Sequence, residues 1–226
     1  MNINNINNLS YYCSERENQF FDRKSSRIKP IDILKHLVAF ANAEGGQLVI
    51  GIEDDGTITG FNYKGAHVID EYRNIFLTEL RETPINPRFD VLDVKNNRNE
   101  NDKILIISVE VSSDRVVKSY DGKVFLRQND KSKELNFEQI LQLQYDRGQR
   151  YFEDEIVQLS SLDDLDDTLI NEYKDIMDIS ALSSEEVLKA RNLLIDGKLT
   201  NAGILLFGKN PSKFLPQARL RVIKYN

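Results

Sequence analysis

Two carboxylates stand just ahead of a basic run in the segment ENQFFDRK, residues 17–24. Glu17 and Asp22 supply hard oxygen donors, the kind that hold magnesium, manganese or calcium. Arg23, Lys24, Arg27 and Lys29 follow directly and are of the type that neutralises phosphates. A further acid, Asp54, lies in IEDDG, residues 52–56. Another group of cations, Lys118, Arg127, Lys131 and Lys133, falls near Tyr120 and Phe125. Cations beside a sheet can hold a nucleic-acid backbone, and aromatic rings can stack on bases. Each feature also has a plainer reading: a solvated charged segment, an Asp-Gly turn favoured for backbone reasons, and an ordinary polar surface. Spacing alone does not bring Glu17 and Asp22 together. Five residues amount to about 140° around a helix and to opposite faces of a strand, so a bend between them is required.

Several chemistries are excluded. Cys13 is the only cysteine, and His36 and His67 are the only histidines. Neither a disulfide framework nor a histidine-rich zinc site can be built from these. A lone thiol of this kind fits a reducing, cytoplasmic setting. No Walker P-loop, no G-x-S-x-G elbow and no zinc-protease helix motif is present. The Gly45-Gly46 pair precedes a strand, which is the wrong context for a dinucleotide fingerprint. No apolar run reaches the roughly 18 residues that span a bilayer, so no membrane association is expected.

The net charge of −6 argues at first against a nucleic-acid partner. The distribution of that charge points the other way. Residues 1–150 carry 21 basic and 23 acidic side chains, whereas residues 151–226 carry 9 and 13. Between Glu153 and Glu186 the only cation is Lys174, and beyond Asp196 there is no acid at all. Local clusters steer a partner more than the sum does.

The elements that must position these residues follow from periodicity. Residues 31–43 carry Ile33, Leu34, Leu37, Val38 and Ala41 at helical spacing, after Pro30 and before Gly45-Gly46. Leu48 to Ile52 reads as a buried strand, and Asp54-Asp55-Gly56 turns it into a hairpin returning over Thr57 to Phe61. A second helix is predicted over 68–82. Strands are predicted over 89–94, 103–111 and 123–127, and a third helix over 136–149. Adjacent strands between helices indicate an α+β class with a mostly antiparallel sheet.

Residues 1–11 read as an uncharged tail, ordered only if it packs on something, and residues 12–150 as one domain. Residues 151–186 read as an acidic connector with helical pieces, and 187–226 as the start of a second, incomplete domain. Across that junction, Leu182 to Leu194 is a predicted helix with Ser184 facing Glu186 near its start. Residues 199–208 suit helix or strand, and 214–226 alternate like a strand.

ENQFFDRK (17–24), AFANAEGG (39–46) and GIEDDGTITG (51–60) together resemble the Schlafen-type AlbA-like domain over roughly residues 12 to 145. The pairing of AFANAEGG with LVIGIEDDG carries most of that signal. Residues 199–225 are similar to the segment that, in bacterial members, leads into an ATPase-like domain. The resemblance implies a nucleic-acid-binding, DNA-binding domain of a bacterial transcriptional-regulator type, with ATP binding belonging to the full-length protein; a homo-oligomer is expected as a form that doubles the site. On that reading Arg23, Lys24, Arg27, Lys29, Arg127 and Lys131 contact phosphates. Animal Schlafen relatives imply an alternative, a magnesium- or manganese-dependent RNA endonuclease, with Glu17, Asp22 and Asp54 as catalytic, metal-holding acids and Lys24 steadying the scissile phosphate. This sequence departs from the family string in having Asp22 in place of glutamate and Arg23 in place of an aromatic residue. A third reading is an oligomerisation module in which the acidic connector pairs with the basic tail.

Overall fold

The computed structural model describes residues 3–79, 85–219 and 221–224. The chain divides into two compact units, Met1–Gln149 and Arg150–Asn226.

The first unit is α+β. Its central sheet has the order β1 (Phe21–Lys24), β2 (Gly46–Ile50), β4 (Asn101–Val109), β3 (Arg88–Lys95). Strand β1 runs parallel to β2, and the other neighbours are antiparallel. A parallel pair needs a crossover, and α2 (Pro30–Asn42) supplies it. Both faces of the sheet are covered, which is why β2 and β4 read as near-continuous apolar runs. On one face Leu48, Ile50, Leu105 and Ile107 pack under Leu34, Leu37 and Phe40 of α2 and Tyr72 of α3 (Ile69–Glu79). On the other face Val49, Ile104 and Ile106 pack with Phe21 and Tyr12.

Tyr12 belongs to α1 (Ile3–Ser14), so the segment read as a tail is helical and Tyr12 is docked on the sheet. Its apolar residues Ile3, Ile6, Leu9 and Tyr12 recur every third position, a helical spacing that the run of asparagines between them masks. The hairpin expected after β2 shrinks to one bridge, Ile52 to Ile58. The loop inside it is closed by Glu53 N–H donating to Thr57 O at 2.9 Å. A second hairpin, β5 (Phe125–Gln128) with β6 (Lys131–Glu134), lies against α2 and precedes α4 (Phe137–Asp146). Strand β6, with the sequence KSKE, has no apolar residue to announce it. Residues 80–82 of the helix expected over 68–82 lie outside the described residues.

The AFAN motif that ends α2 has a structural reason. The buried Asn42 amide donates to Val117 O at 2.8 Å and Phe125 O at 2.9 Å, and its Oδ1 accepts from Val117 N–H at 2.8 Å. One side chain therefore ties the crossover helix to β5 and to the chain ahead of it. Gly45, at φ +80°, lies so close to Val109 that a Cβ there would stand 2.8 Å from its carbonyl oxygen.

The second unit has its own core of Leu165, Ile170, Leu188, Leu194, Leu199, Ile204 and Phe207. It contains α5 (Asp167–Ile176), α6 (Ser184–Ala190), the two-residue strands β7 (Leu194–Ile195) and β8 (Lys198–Leu199), α7 (Asn201–Phe207) and α8 (Pro211–Phe214). The acidic stretch thus contributes Leu165 and Ile170 to a folded core. Helix α6 is capped by Ser183, not Ser184: the Ser183 hydroxyl accepts from Glu186 N–H while Glu186 accepts from Ser183 N–H. Asp196-Gly197, both at positive φ, make the β7–β8 turn. The final stretch forms no strand among the described residues, and Leu220 and Tyr225 lie outside them. Among the described residues no helix is long and apolar enough to cross a membrane.

Candidate functional site: a buried charge cluster on the first strand

Strand β1 carries Asp22 and Lys24 on the same side, because alternate residues of a strand share a face. Lys24 Nζ meets Asp22 Oδ1 at 2.6 Å. Asp22 is 1% exposed, and its Oδ2 accepts from Arg127 Nη1 at 2.5 Å and lies 3.1 Å from His36 Nδ1. Arg127 belongs to β5 and His36 to α2, so three separate elements meet on one carboxylate. Ser132 of β6 closes the group, with its Oγ 3.2 Å from His36 Nδ1 and 3.4 Å from Arg127 Nη1. Arg127 also donates to the carbonyls of Asn18 and Phe21, both at 3.0 Å, and its guanidinium lies 5.0 Å from the centre of the Phe40 ring.

The bend that Glu17 needs is present. Phe20 N–H donates to Asn18 Oδ1 at 2.8 Å, and Asn18 N–H donates to Phe21 O at 3.0 Å. This Asn-centred turn swings Glu17 back along β1. There Glu17 Oε1 accepts from Arg23 N–H at 3.1 Å and lies 3.3 Å from Lys24 Nζ. Asp54 does not join them. It sits exposed on the loop after β2, and its neighbours do local work. Asp55 accepts from Thr57 N–H at 2.9 Å, while Glu53 takes the Thr59 hydroxyl at 2.7 Å and pairs with Arg27 at 3.2 Å.

The six cations divide into two kinds. Arg23 is 3% exposed and Arg127 2%, so neither can reach a phosphate, which corrects the sequence expectation for both. Arg23 instead donates from Nη1 to the carbonyls of Tyr12 and Cys13, each at 2.9 Å, tying down the end of α1. Gly56, at φ +86°, fits the same corner, and a Cβ there would stand 2.0 Å from the Cys13 carbonyl oxygen. Lys24 is partly exposed but directs its ammonium protons to Asp22, Glu17 and the Arg23 carbonyl, the last at 2.8 Å. Arg27, Lys29 and Lys131 are exposed. Lys133, two residues along β6, shares the outward face with Lys131, because Ser132 between them points inward to His36. His36 and Ser132 were not foreseen as site residues. The one available signal was a histidine on the apolar face of α2.

The electrostatics follow from this packing. Burial would raise the Asp22 carboxyl, but the hydrogen bond and charge of His36 and the charge of Lys24 overcome it and hold Asp22 well below the usual carboxylate range. Burial lowers His36, and the hydrogen bond and charge of Asp22 offset only part of that, so its imidazole is held below the usual histidine value. Burial would lower Lys24, but Asp22 and Glu17 raise it instead. Burial, then the hydrogen bond and charge of Asp22, push Glu17 upward.

A divalent ion does not fit this arrangement. Both oxygens of Asp22 are taken by cationic or N–H donors, and Asp54 stands apart. Among the described residues no three His, Cys, Asp or Glu side chains form a group able to hold a metal.

The sheet, the glycine-bearing turn after α2 and the β1 cluster coincide with a known domain. The family model described as "Schlafen, AlbA_2" matches residues 17–136, more than half of the chain. The chain belongs to the Schlafen AlbA_2 family. Membership points to a nucleic-acid-related role for the AlbA_2 unit. Residues 140–221 match a second family model, a domain of unknown function. Among solved structures the chain is similar to the DIP2311 protein from Corynebacterium diphtheriae, at 19% identity and a TM-score of 0.45, over 91% of this chain and 44% of that one. The chain thus spans less than half the length of that protein. No curated protein matches.

Proposed function

We propose that the AlbA_2 unit binds nucleic acid, DNA in the first instance, chiefly through its phosphates, as part of a regulator-type protein. One observation carries this reading. Lys29, Lys131 and Lys133 are exposed and make no ion pair among the described residues, while Asp22, the acid beneath the β5–β6 hairpin, is already neutralised from within. Arg27, 48% exposed at its side chain, adds a fourth cation, held loosely by Glu53 and by the Tyr63 ring 5.0 Å away. Free ammonium groups at the start of α2 and on the β5–β6 hairpin release counterions from a polyanion without first giving up an internal partner. No arrangement of side chains for reading base edges accompanies them, so the sequence preference is weak. The same proposal extends to a homo-oligomer, in which a second copy doubles the charged surface and raises avidity. It also extends to an ATP-linked role residing outside the AlbA_2 unit. Binding is favoured over metal-dependent cleavage because Glu17 and Asp22, two of the three acids that cleavage would need, are occupied by cations and Asp54, the third, stands apart.

Fluorescence anisotropy tests the proposal, with labelled single-stranded RNA, single-stranded DNA and duplex DNA of about 20 nucleotides as probes. Support is duplex-DNA binding at low salt whose log K falls linearly with log salt, at a slope of about −2 to −4 for three or four neutralised phosphates. No binding to any of the three probes at low salt overturns it. Binding to RNA alone moves the assignment from DNA to RNA.

A further inference from the structure

The acids that the family resemblance assigns to a metal ion enclose something else. Lys24 Nζ lies 2.6 Å from Asp22 Oδ1, 3.3 Å from Glu17 Oε1 and 2.8 Å from the carbonyl oxygen of Arg23. Three oxygen acceptors thus face one ammonium, which has three protons to donate. Two of these acceptors are charged, and the cation comes from the same strand as one of them. Asp22 has a second cation, Arg127, on its other oxygen, and Arg127 is fixed in turn by two backbone carbonyls and the Phe40 ring.

We infer that the Lys24 ammonium is this chain's resident cation, filling between Glu17 and Asp22 the place a divalent ion would take, so that the cluster works without metal. The charge balance supports it. Asp22 and Glu17 bring two negative charges, and Lys24 and Arg127 bring two positive ones, so a divalent ion would add two uncompensated positive charges to a largely buried group. The geometry supports it too. To approach Asp22 Oδ1 at a metal–ligand distance, an ion must displace an ammonium held by three hydrogen bonds. The shorter aspartate at position 22 also matters. It keeps its carboxylate close to β1, where a lysine two residues along the same strand face can reach it. The inference does not depend on whether nucleic acid binds.

Manganese binding tests it, with no activity measurement. Titration of the full chain with Mn²⁺, followed by electron paramagnetic resonance of the free ion and by thermal unfolding, is expected to show no saturable site at sub-millimolar ion and a Tm change of less than about 1 °C, since only a ligand that binds the folded state shifts its stability. The Lys24→Met variant removes the ammonium but keeps an unbranched side chain. It is expected to gain one saturable Mn²⁺ site, at least tenfold tighter than any wild-type binding, which a further Glu17→Gln change abolishes. A wild-type site of one-to-one stoichiometry that Glu17→Gln or Asp22→Asn removes overturns the inference. A folded Lys24→Met protein that gains no site does so as well. If Lys24→Met does not fold, the wild-type ammonium itself decides. Its ¹⁵N resonance is expected to be visible, slowed in exchange, and unbroadened by equimolar Mn²⁺. Selective broadening of that resonance overturns the inference.

Discussion

Asp22 and Arg127, 105 residues apart in sequence, form a buried ion pair of 2.5 Å that fastens the β5–β6 hairpin to the first strand of the sheet. The pair is supported on every side. Lys24 and His36 share the carboxylate, and Asn18, Phe21 and Phe40 hold the guanidinium. In this chain the charges that look suited to chemistry in sequence hold the fold, and the cations left over face outward.

Removing one partner of this pair is therefore a stability experiment. Arg127→Met leaves the Asp22 carboxylate buried and lacking its guanidinium partner, which costs about 3–5 kcal/mol. Lys131→Ala, on the outward face of the same hairpin, changes stability by less than about 0.5 kcal/mol. Urea unfolding of both variants checks the contrast, and equal effects would show that the pair does not hold the hairpin.

Asn42 gives a second, independent figure. Asn42→Ala deletes three hydrogen bonds and leaves the Val117 and Phe125 carbonyls and the Val117 N–H buried with no partner. The expected loss is about 2–4 kcal/mol. Hydrogen exchange should show the loss first at residues 116–128. An unchanged urea midpoint would contradict the role given to the AFAN motif.

The cluster also sets a pH dependence, and its direction follows from the shifts. His36 is lowered in the fold, so its contribution is complete above its unfolded value, roughly 6.5, and is lost as pH falls through that range toward the folded value. Asp22 is lowered as well, and its contribution is lost only in stronger acid, as pH falls through its folded value. Glu17 is raised and runs the other way: its contribution is complete below its unfolded value and is lost as pH rises through the folded one. Stability should therefore decline between about pH 7 and pH 5 and fall further in acid, and Glu17 should soften the acid limb. Urea midpoints across that range check this. His36→Gln should flatten the limb near neutrality, and a wild-type profile already flat from pH 7 to pH 5 would contradict this electrostatic assignment.

Gly56 tests the corner where the loop after β2 meets α1. Its φ of +86° and the Cys13 carbonyl 2.0 Å from a built Cβ leave no room for a side chain. Gly56→Ala should cost at least about 1 kcal/mol through backbone strain alone. Circular dichroism and urea unfolding read the effect. An alanine tolerated without loss would mean that α1 does not close on this loop.

Much of the fold was legible because it rests on periodicity. The helix over 31–43 and the strands β2, β3 and β4 have apolar residues at the spacing their burial requires, and the structure has them within a few residues of the predicted ends. Helix α1 reads as a tail in sequence although Ile3, Ile6, Leu9 and Tyr12 recur every third residue, and strands β1 and β6, FDRK and KSKE, were not legible because they are short and mostly charged. The site was half legible. Glu17 and Asp22 do meet, through a bend that spacing demanded and Asn18 supplies. Their partners were hidden, because a charge in sequence does not reveal whether it faces water or another charge. Arg23 and Arg127 look like phosphate ligands on paper and are among the most buried polar residues in the unit. Asp54 sits in a turn whose Asp-Gly chemistry explains it without any ligand.

The most direct test of phosphate binding by the outward cations is the salt dependence of duplex-DNA binding by a variant with Arg27→Ala, Lys29→Ala and Lys131→Ala combined, measured beside the wild type. If the exposed cations make the phosphate contacts, the variant keeps its thermal stability while the slope of log K against log salt becomes shallower by about 2 to 3. An unchanged slope in the folded variant would contradict that assignment.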